Sequence, residues 1–228
     1  MKRFLITITL LLGIVHMQAQ DKILVPTSTY KHKDSNHPWN VLLTNNCEFC
    51  FYLSGTLEEF DKKGLSFNYD TMTLTFCETR EPTPDEEKID SELKYPWHNK
   101  YELKINKEQA DALFSLFTSA VYSSNYIVSD RIPTADGCFY QFSVSHYSAA
   151  TTSPGSKTNS GRLVSVARKV CQSVKSQNPE NINTLMNEIK DLTDIFISYY
   201  PFDFNKGSIM YHIHKEYKVK GPSVGLKY

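Results

Sequence analysis

CEFC, residues 47 to 50, sets two thiols three positions apart among aromatic residues. Zinc knuckles and thioredoxin-like redox pairs use that spacing, and both need the two sulfurs on one side of the chain. Here the flanking pattern is that of a strand. Cys47, Phe49, Phe51 and Leu53 alternate with Glu48, Cys50 and Tyr52. Strand residues three apart point to opposite faces, so Cys47 and Cys50 neither share an ion nor bridge each other. No second ligand pair stands at matched spacing, and no helix follows. CEFC therefore reads as a half-buried strand, with Cys47 toward the core and Cys50 toward the polar side. Cys77 follows Phe76 in a neighbouring strand and takes the same polar face as Cys50. If the chain forms a disulfide, Cys50 with Cys77 is the expected pair. Five cysteines leave at least one thiol unpaired within the chain. Cys171, near the apolar stripe of a helix, is expected to be a buried thiol.

Other residue groups invite chemistry. His212 and His214 in YHIHKEY share a face if that stretch is a strand, but no third ligand stands at a fixed spacing and Lys215 opposes a cation. They read as surface histidines, and no metal is expected. SPGSKTNSGR, residues 153 to 162, has the look of a phosphate loop. A Walker loop needs glycine directly before its Lys-Ser/Thr, and Ser156 stands there instead. What remains is a helix start where Asn159, Ser160 or Gly161 supplies the cap. Free N–H groups there, with Lys157, Ser160 and Arg162, make a candidate anion site. The acidic stretch within 78–92 is flanked by proline and reads as a solvated loop rather than an acid/base pair. GxSxG and HExxH are absent. Among the aromatics, Tyr95-Pro96-Trp97-His98 lies in a loop, where large rings are least explained by a core. Tyr95, Trp97 and His98 are the candidate ligand-binding residues.

The elements that would position these residues follow from periodicity. LSFNYDTMTLTF, residues 65 to 76, changes parity across Asp70-Thr71, as a two-residue hairpin turn requires. Asp61 to Gly64 reads as a turn before it. Tyr101, Leu103 and Ile105 alternate as a strand. Asn106 with Gln109 approaches a capping box, and Ala110, Leu113, Phe114, Phe117, Ala120 and Val121 form a helical stripe. Residues 139–147 read as a strand, and 148–161 as a Ser/Thr/Gly-rich loop. A helix carries Leu163, Val166, Ala167, Val170 and Val174. Asn178-Pro179 ends it, and a third helix runs to about Tyr200. Short turns join the early strands and the helices collect late. The expected fold is therefore α+β: an antiparallel sheet of about four to six strands with three helices mainly on one face.

Lys2 and Arg3 precede an apolar run from Phe4 to Val15, and Ala19 precedes a polar stretch. That is a signal-peptide pattern. The expected organisation is a signal peptide at 1–19, an extended arm at 20–40, one domain at 41–204 and a basic tail at 205–228 that can add a strand. Cleavage would leave no transmembrane segment. The 25 basic and 25 acidic residues balance, which gives no reason to expect a nucleic-acid partner.

Asp136-Gly137, the aromatic strand Phe139-Tyr140-Gln141-Phe142, the Thr-Ser-Pro stretch at 152 to 154 and the helix Leu163-Val164-Ser165-Val166-Ala167 with Cys171 together resemble small exported proteins of Bacteroidota, a domain of unknown function. The resemblance lies within residues 136–174. It implies an exported α+β domain and carries over no catalytic residue.

The expected function is that of an exported, non-catalytic binding or envelope-associated structural protein, periplasmic or secreted. Its partner would be a protein or a carbohydrate, and no cofactor is expected. Two alternatives stand beside it. One is a small hydrolase that draws on His98, His146 or His212 with an acidic partner. The other is an interaction subunit or inhibitor that docks through residues 78–98.

Overall fold

The computed structural model describes residues 24–27, 48–54, 62–80, 83–84, 98–125, 137–145 and 147–199. Among them, seven strands form one antiparallel sheet: β1 (Val25–Thr27), β2 (Phe49–Ser54), β3 (Lys62–Asn68), β4 (Thr73–Thr79), β5 (His98–Lys104), β6 (Phe139–Val144) and β7 (Tyr147–Thr152). Their order across the sheet is β1-β7-β6-β2-β3-β4-β5. Among the described residues four helices accompany them: α1 (Lys107–Ser123), α2 (Asn159–Lys175), α3 (Glu180–Asn183) and α4 (Met186–Ser198). The α+β class is as expected, but the sheet has more strands.

The extra strands come from two segments. Val25–Thr27, within the expected arm, pairs with β7, and Leu24 beside it is buried. Ser148 to Thr152, expected as loop, form β7 together with Tyr147, expected at the end of the preceding strand; β7 pairs on β6 from Val144↔Tyr147 to Phe139↔Thr152. Its small residues lack the bulk that marks a strand in sequence. Pairing on both sides, with β6 and β1, supplies the order instead. Lys62 to Gly64, expected as a turn, belongs to β3, where Gly64 lies between Tyr52 and Cys77.

The β3–β4 hairpin turns at the expected place. Asn68 pairs with Thr73, and Met72 N donates to Tyr69 O at 3.2 Å. No glycine is needed at the tip, because Asn68 Oδ1 accepts from both the N–H and the hydroxyl of Thr71, at 2.9 and 3.0 Å. The left-handed conformation falls on Met72, at φ 50°.

One sheet face carries the large apolar residues: Phe49 and Phe51 from β2, Leu65 and Phe67 from β3, Leu74 and Phe76 from β4, Phe142 and Val144 from β6. All are buried. α1 lies over β2, β6 and β7, and α2 over β4 and β5. Phe117 of α1 stacks on Phe49 and Phe142 at 4.5 and 5.6 Å between centroids. Such pairs add about 0.5–1.5 kcal/mol each to the burial of the rings.

The helix boundaries have local causes. Asn106 and Gln109 form the capping box of α1: Asn106 Oδ1 accepts from Gln109 N at 2.9 Å, and Gln109 Oε1 accepts from Asn106 N at 3.1 Å. α2 starts earlier than its apolar stripe. Its cap is Thr158, whose hydroxyl accepts from Gly161 N at 3.0 Å. The expected third helix is split at Thr184-Leu185 into α3 and α4. Ile182, Leu185, Ile189, Leu192 and Phe196 keep one buried stripe across the break, whereas Tyr199 is exposed.

Candidate functional site on the second face of the sheet

The residues singled out in the sequence do not gather into one site. Tyr95, Trp97, Cys47, His146, His212 and His214 lie outside the described residues, as does most of 78–98. His98 opens β5 opposite Thr79 and is half-buried. At the start of α2, Thr158 already occupies the amide of Gly161. Arg162 turns to α4, where it pairs with Asp191 at 2.6 Å and Glu188 at 3.7 Å. Ser160 is buried, and Lys157 is exposed in the preceding turn. These residues build the helix start and its contact with α4 rather than a cradle for an anion.

Cys50 and Cys77 do share a face, as parity requires, but they are not bonded to each other. Cys50 stands opposite Ser66 and Cys77 opposite Gly64, so β3 lies between them. Two strand spacings place their backbones about 10 Å apart before the offset in register is added. A disulfide tolerates at most about 7 Å between Cα atoms. Parity could not show this, because it carries no information on strand order.

The face that bears those cysteines is the one turned away from the helices, and it is polar. β2 presents Cys50 and Tyr52, β3 Gly64 and Ser66, β6 Gln141 and Ser143, β7 Ser148, Ala150 and Thr152. All of these side chains are buried, so the central strands are covered on both faces. The half-buried strand expected at CEFC is corrected accordingly. Toward the β5 edge the same face opens to solvent, where Lys100 pairs with Glu102 at 2.6 Å.

Small hydroxyls in an interior must find partners. Ser143 and Ser148, directly opposite one another, do so through a 2.8 Å hydrogen bond between their Oγ atoms. Gln141 and Thr152 do not. Gln141 Nε2 and Thr152 Oγ1 are buried with no hydrogen-bond partner, at 1% and 3% residue exposure. The register makes them diagonal neighbours. Gln141 faces Ala150, and Thr152 stands two residues further along the same strand. Diagonal neighbours of this kind lie about 7 Å apart. Tyr52 flanks Gln141 on its other side, and Phe139 stands opposite Thr152. Cys50, Tyr52 and Phe139 form a small apolar cluster on this face.

Burial pushes the Cys77 thiol up to about 11 and the Cys171 thiol up to about 12, so both are protonated at neutral pH. Glu48, just before β2, is buried, and its Oε2 accepts from Tyr69 N at 2.8 Å. Burial raises its carboxyl to about 7, against the hydrogen bonds of backbone amides and with a small push from Asp70. Among the described residues, no three His, Cys, Asp or Glu side chains come together as a metal site. No helix among them is long and apolar enough to cross a membrane.

The sequence reading missed Gln141, Thr152 and Glu48. A signal was present for the first: Phe139, Gln141 and Ser143 alternate with Tyr140, Phe142 and Val144. No such signal marks Thr152, because its strand has the composition of a loop. No family model, curated protein or solved structure matches the chain.

Proposed function

We propose that the protein is an exported, envelope-associated binding protein without catalytic activity of its own, and that it binds through the polar face of its sheet. The observation that carries this reading is the pair of buried, unpartnered groups on that face, Gln141 Nε2 and Thr152 Oγ1. An unpaired polar group in an interior costs about 1–3 kcal/mol. Both atoms are shut off from solvent in this structure, so a molecule that supplies the missing hydrogen bonds removes that cost only once that face opens. Burial keeps Cys77 and Cys171 protonated, which disfavours either as a nucleophile, since the thiolate is the reactive form. The N-terminal charge and apolar pattern support export, as does the resemblance to exported proteins of Bacteroidota.

Native mass spectrometry of the protein recovered from its own cell envelope tests both parts. The expected result is a chain cleaved after Ala19 or Gln20 that carries a non-covalent mass lost on denaturation. An uncleaved chain in the cytosolic fraction would refute export. A bare chain that turns over ester, glycoside or peptide substrates would refute the binding role.

A further inference from the structure

We propose that Glu48 and the tip of the β3–β4 hairpin form a pH-sensitive latch: the tip stays docked on β2 and α1 while Glu48 is protonated and comes away from both when Glu48 ionises. This does not depend on the binding role proposed above.

The carboxyl sits where three parts of the chain meet. Glu48 N donates to Phe67 O at 2.9 Å, and Glu48 Oε2 accepts from Tyr69 N at 2.8 Å. Both bonds fall where β3 ends and the chain turns toward β4. Tyr69 carries the tie on to α1. Its hydroxyl donates to Asp111 Oδ1 at 3.2 Å and accepts from Lys107 Nζ at 2.8 Å. The far side of the tip rests on β5, through Lys104 Nζ to Thr71 O at 2.6 Å and Ile105 N to Met72 O at 3.0 Å. Tyr69 is thus the residue through which the tip touches both Glu48 and α1.

The surroundings of Glu48 offer nothing to offset a charge. Phe49 pairs with Phe67 and with Val144, so one step back Glu48 is flanked by Asn68 and Ser145, both uncharged. Among the described residues, the charged groups around the tip are Asp70 in the turn, Lys104 of β5, and Lys107 and Asp111 of α1. The two lysines are engaged with Thr71 O and with the Tyr69 hydroxyl and Asp111. Asp70 is a like charge and opposes ionisation. A buried carboxylate with an amide but no cation beside it is unfavourable, and opening the tip returns it to water. The carboxyl titrates near 7 when shut in and near 4.5 when exposed, so ionisation favours the open state. Between pH 6 and pH 8 the opening should become about tenfold more favourable.

Hydrogen exchange of the full chain, read amide by amide at pH 6 and pH 8 and corrected for intrinsic rates, tests the latch. In wild type the Tyr69 amide should exchange through an opening more populated than the one that exposes Phe142 and Val170 in the core. That opening should rise about tenfold from pH 6 to pH 8. Glu48→Gln keeps an oxygen for Tyr69 N but cannot ionise, and its opening should be the same at both pH values. Tyr69→Phe cuts the hydrogen bonds to α1 and should raise the opening at both pH values while keeping the tenfold step. Exchange of Tyr69 only together with Phe142 and Val170 would overturn the inference, because the tip would then have no opening of its own. An equal pH dependence in wild type and Glu48→Gln would overturn it as well, and an unchanged opening in Tyr69→Phe would overturn the docking on α1.

Discussion

Glu48 is the residue whose environment departs furthest from what its type prefers. A carboxyl at 7% exposure, with a backbone amide rather than a cation beside it, is harder to ionise than one in water, because burial outweighs the amide's hydrogen bond. Its folded-state value of about 7 stands above the unfolded 4.5. Between those values the folded chain binds more protons than the unfolded one. Stability is therefore fully present below about pH 4.5 and falls as pH rises to about 7, after which this group adds no further slope. The full shift corresponds to a loss of up to about 3 kcal/mol. Glu48→Gln removes the ionisation and retains an oxygen for Tyr69 N. Urea titrations at pH 5 and pH 8 should show wild type less stable at the higher pH and the variant nearly level between them. The variant should exceed wild type at pH 8. Equal pH slopes in the two proteins would show that Glu48 ionises without penalty. Sequence alone placed Glu48 on the polar side of its strand, because alternation reports which residues share a face and not whether that face meets water.

At the scale of elements, α1 shows what local sequence can specify. Asn106 and Gln109 signal the helix start, and the structure closes the box as their types require. Gln109 also has a role that no local pattern encodes. Its Nε2 donates to Pro179 O at 3.0 Å and to Asn183 Oδ1 at 2.8 Å, which ties the start of α1 to α3 across seventy residues of chain. Asn106→Ala should cost about 1 kcal/mol, the usual worth of an N-cap. Gln109→Ala should cost more, about 2–3 kcal/mol, because it removes half of the box and leaves the Pro179 carbonyl without that donor. Chemical denaturation of the two variants checks the order, and an equal loss would mean that the link to α3 contributes nothing. The same contrast separates the legible strands from the others. β2, β3 and β4 alternate large apolar residues and could be read directly. β7 could not, since Ser, Ala and Thr give no amplitude to a period of two. The start of α2 was misplaced for a related reason: three successive small polar residues can each cap a helix, and the choice of Thr158 depends on how the 153–157 turn packs. There the absent side chain of Gly161 matters, because a Cβ would meet Gly155 O at 2.0 Å.

At the scale of the whole molecule, the order β1-β7-β6-β2-β3-β4-β5 places β2 between a near partner in sequence and a distant one, β6. No local pattern announces that pairing. This is why the polar face and its unpaired groups, which β2, β6 and β7 build together, were hidden while the layered α+β class was readable. The same order sets the two edges of the described sheet. β5 is defended by charge, with Lys100, Glu102 and Lys104 alternating along one side. β1 is defended by brevity and by Pro26, which stands opposite Ala149, is exposed and offers no N–H to an incoming strand. Pro26→Val restores a donor and adds a β-branched residue at that edge. The variant should keep a Tm close to wild type, since the position is exposed, yet associate faster in light scattering near the melting transition. Lys100→Val with Lys104→Val should do the same at the other edge, and combining both changes should exceed either alone. If the edge variants scatter no more than wild type, then neither the proline nor the charges protect the sheet, and the shortness of β1 is its sufficient defence.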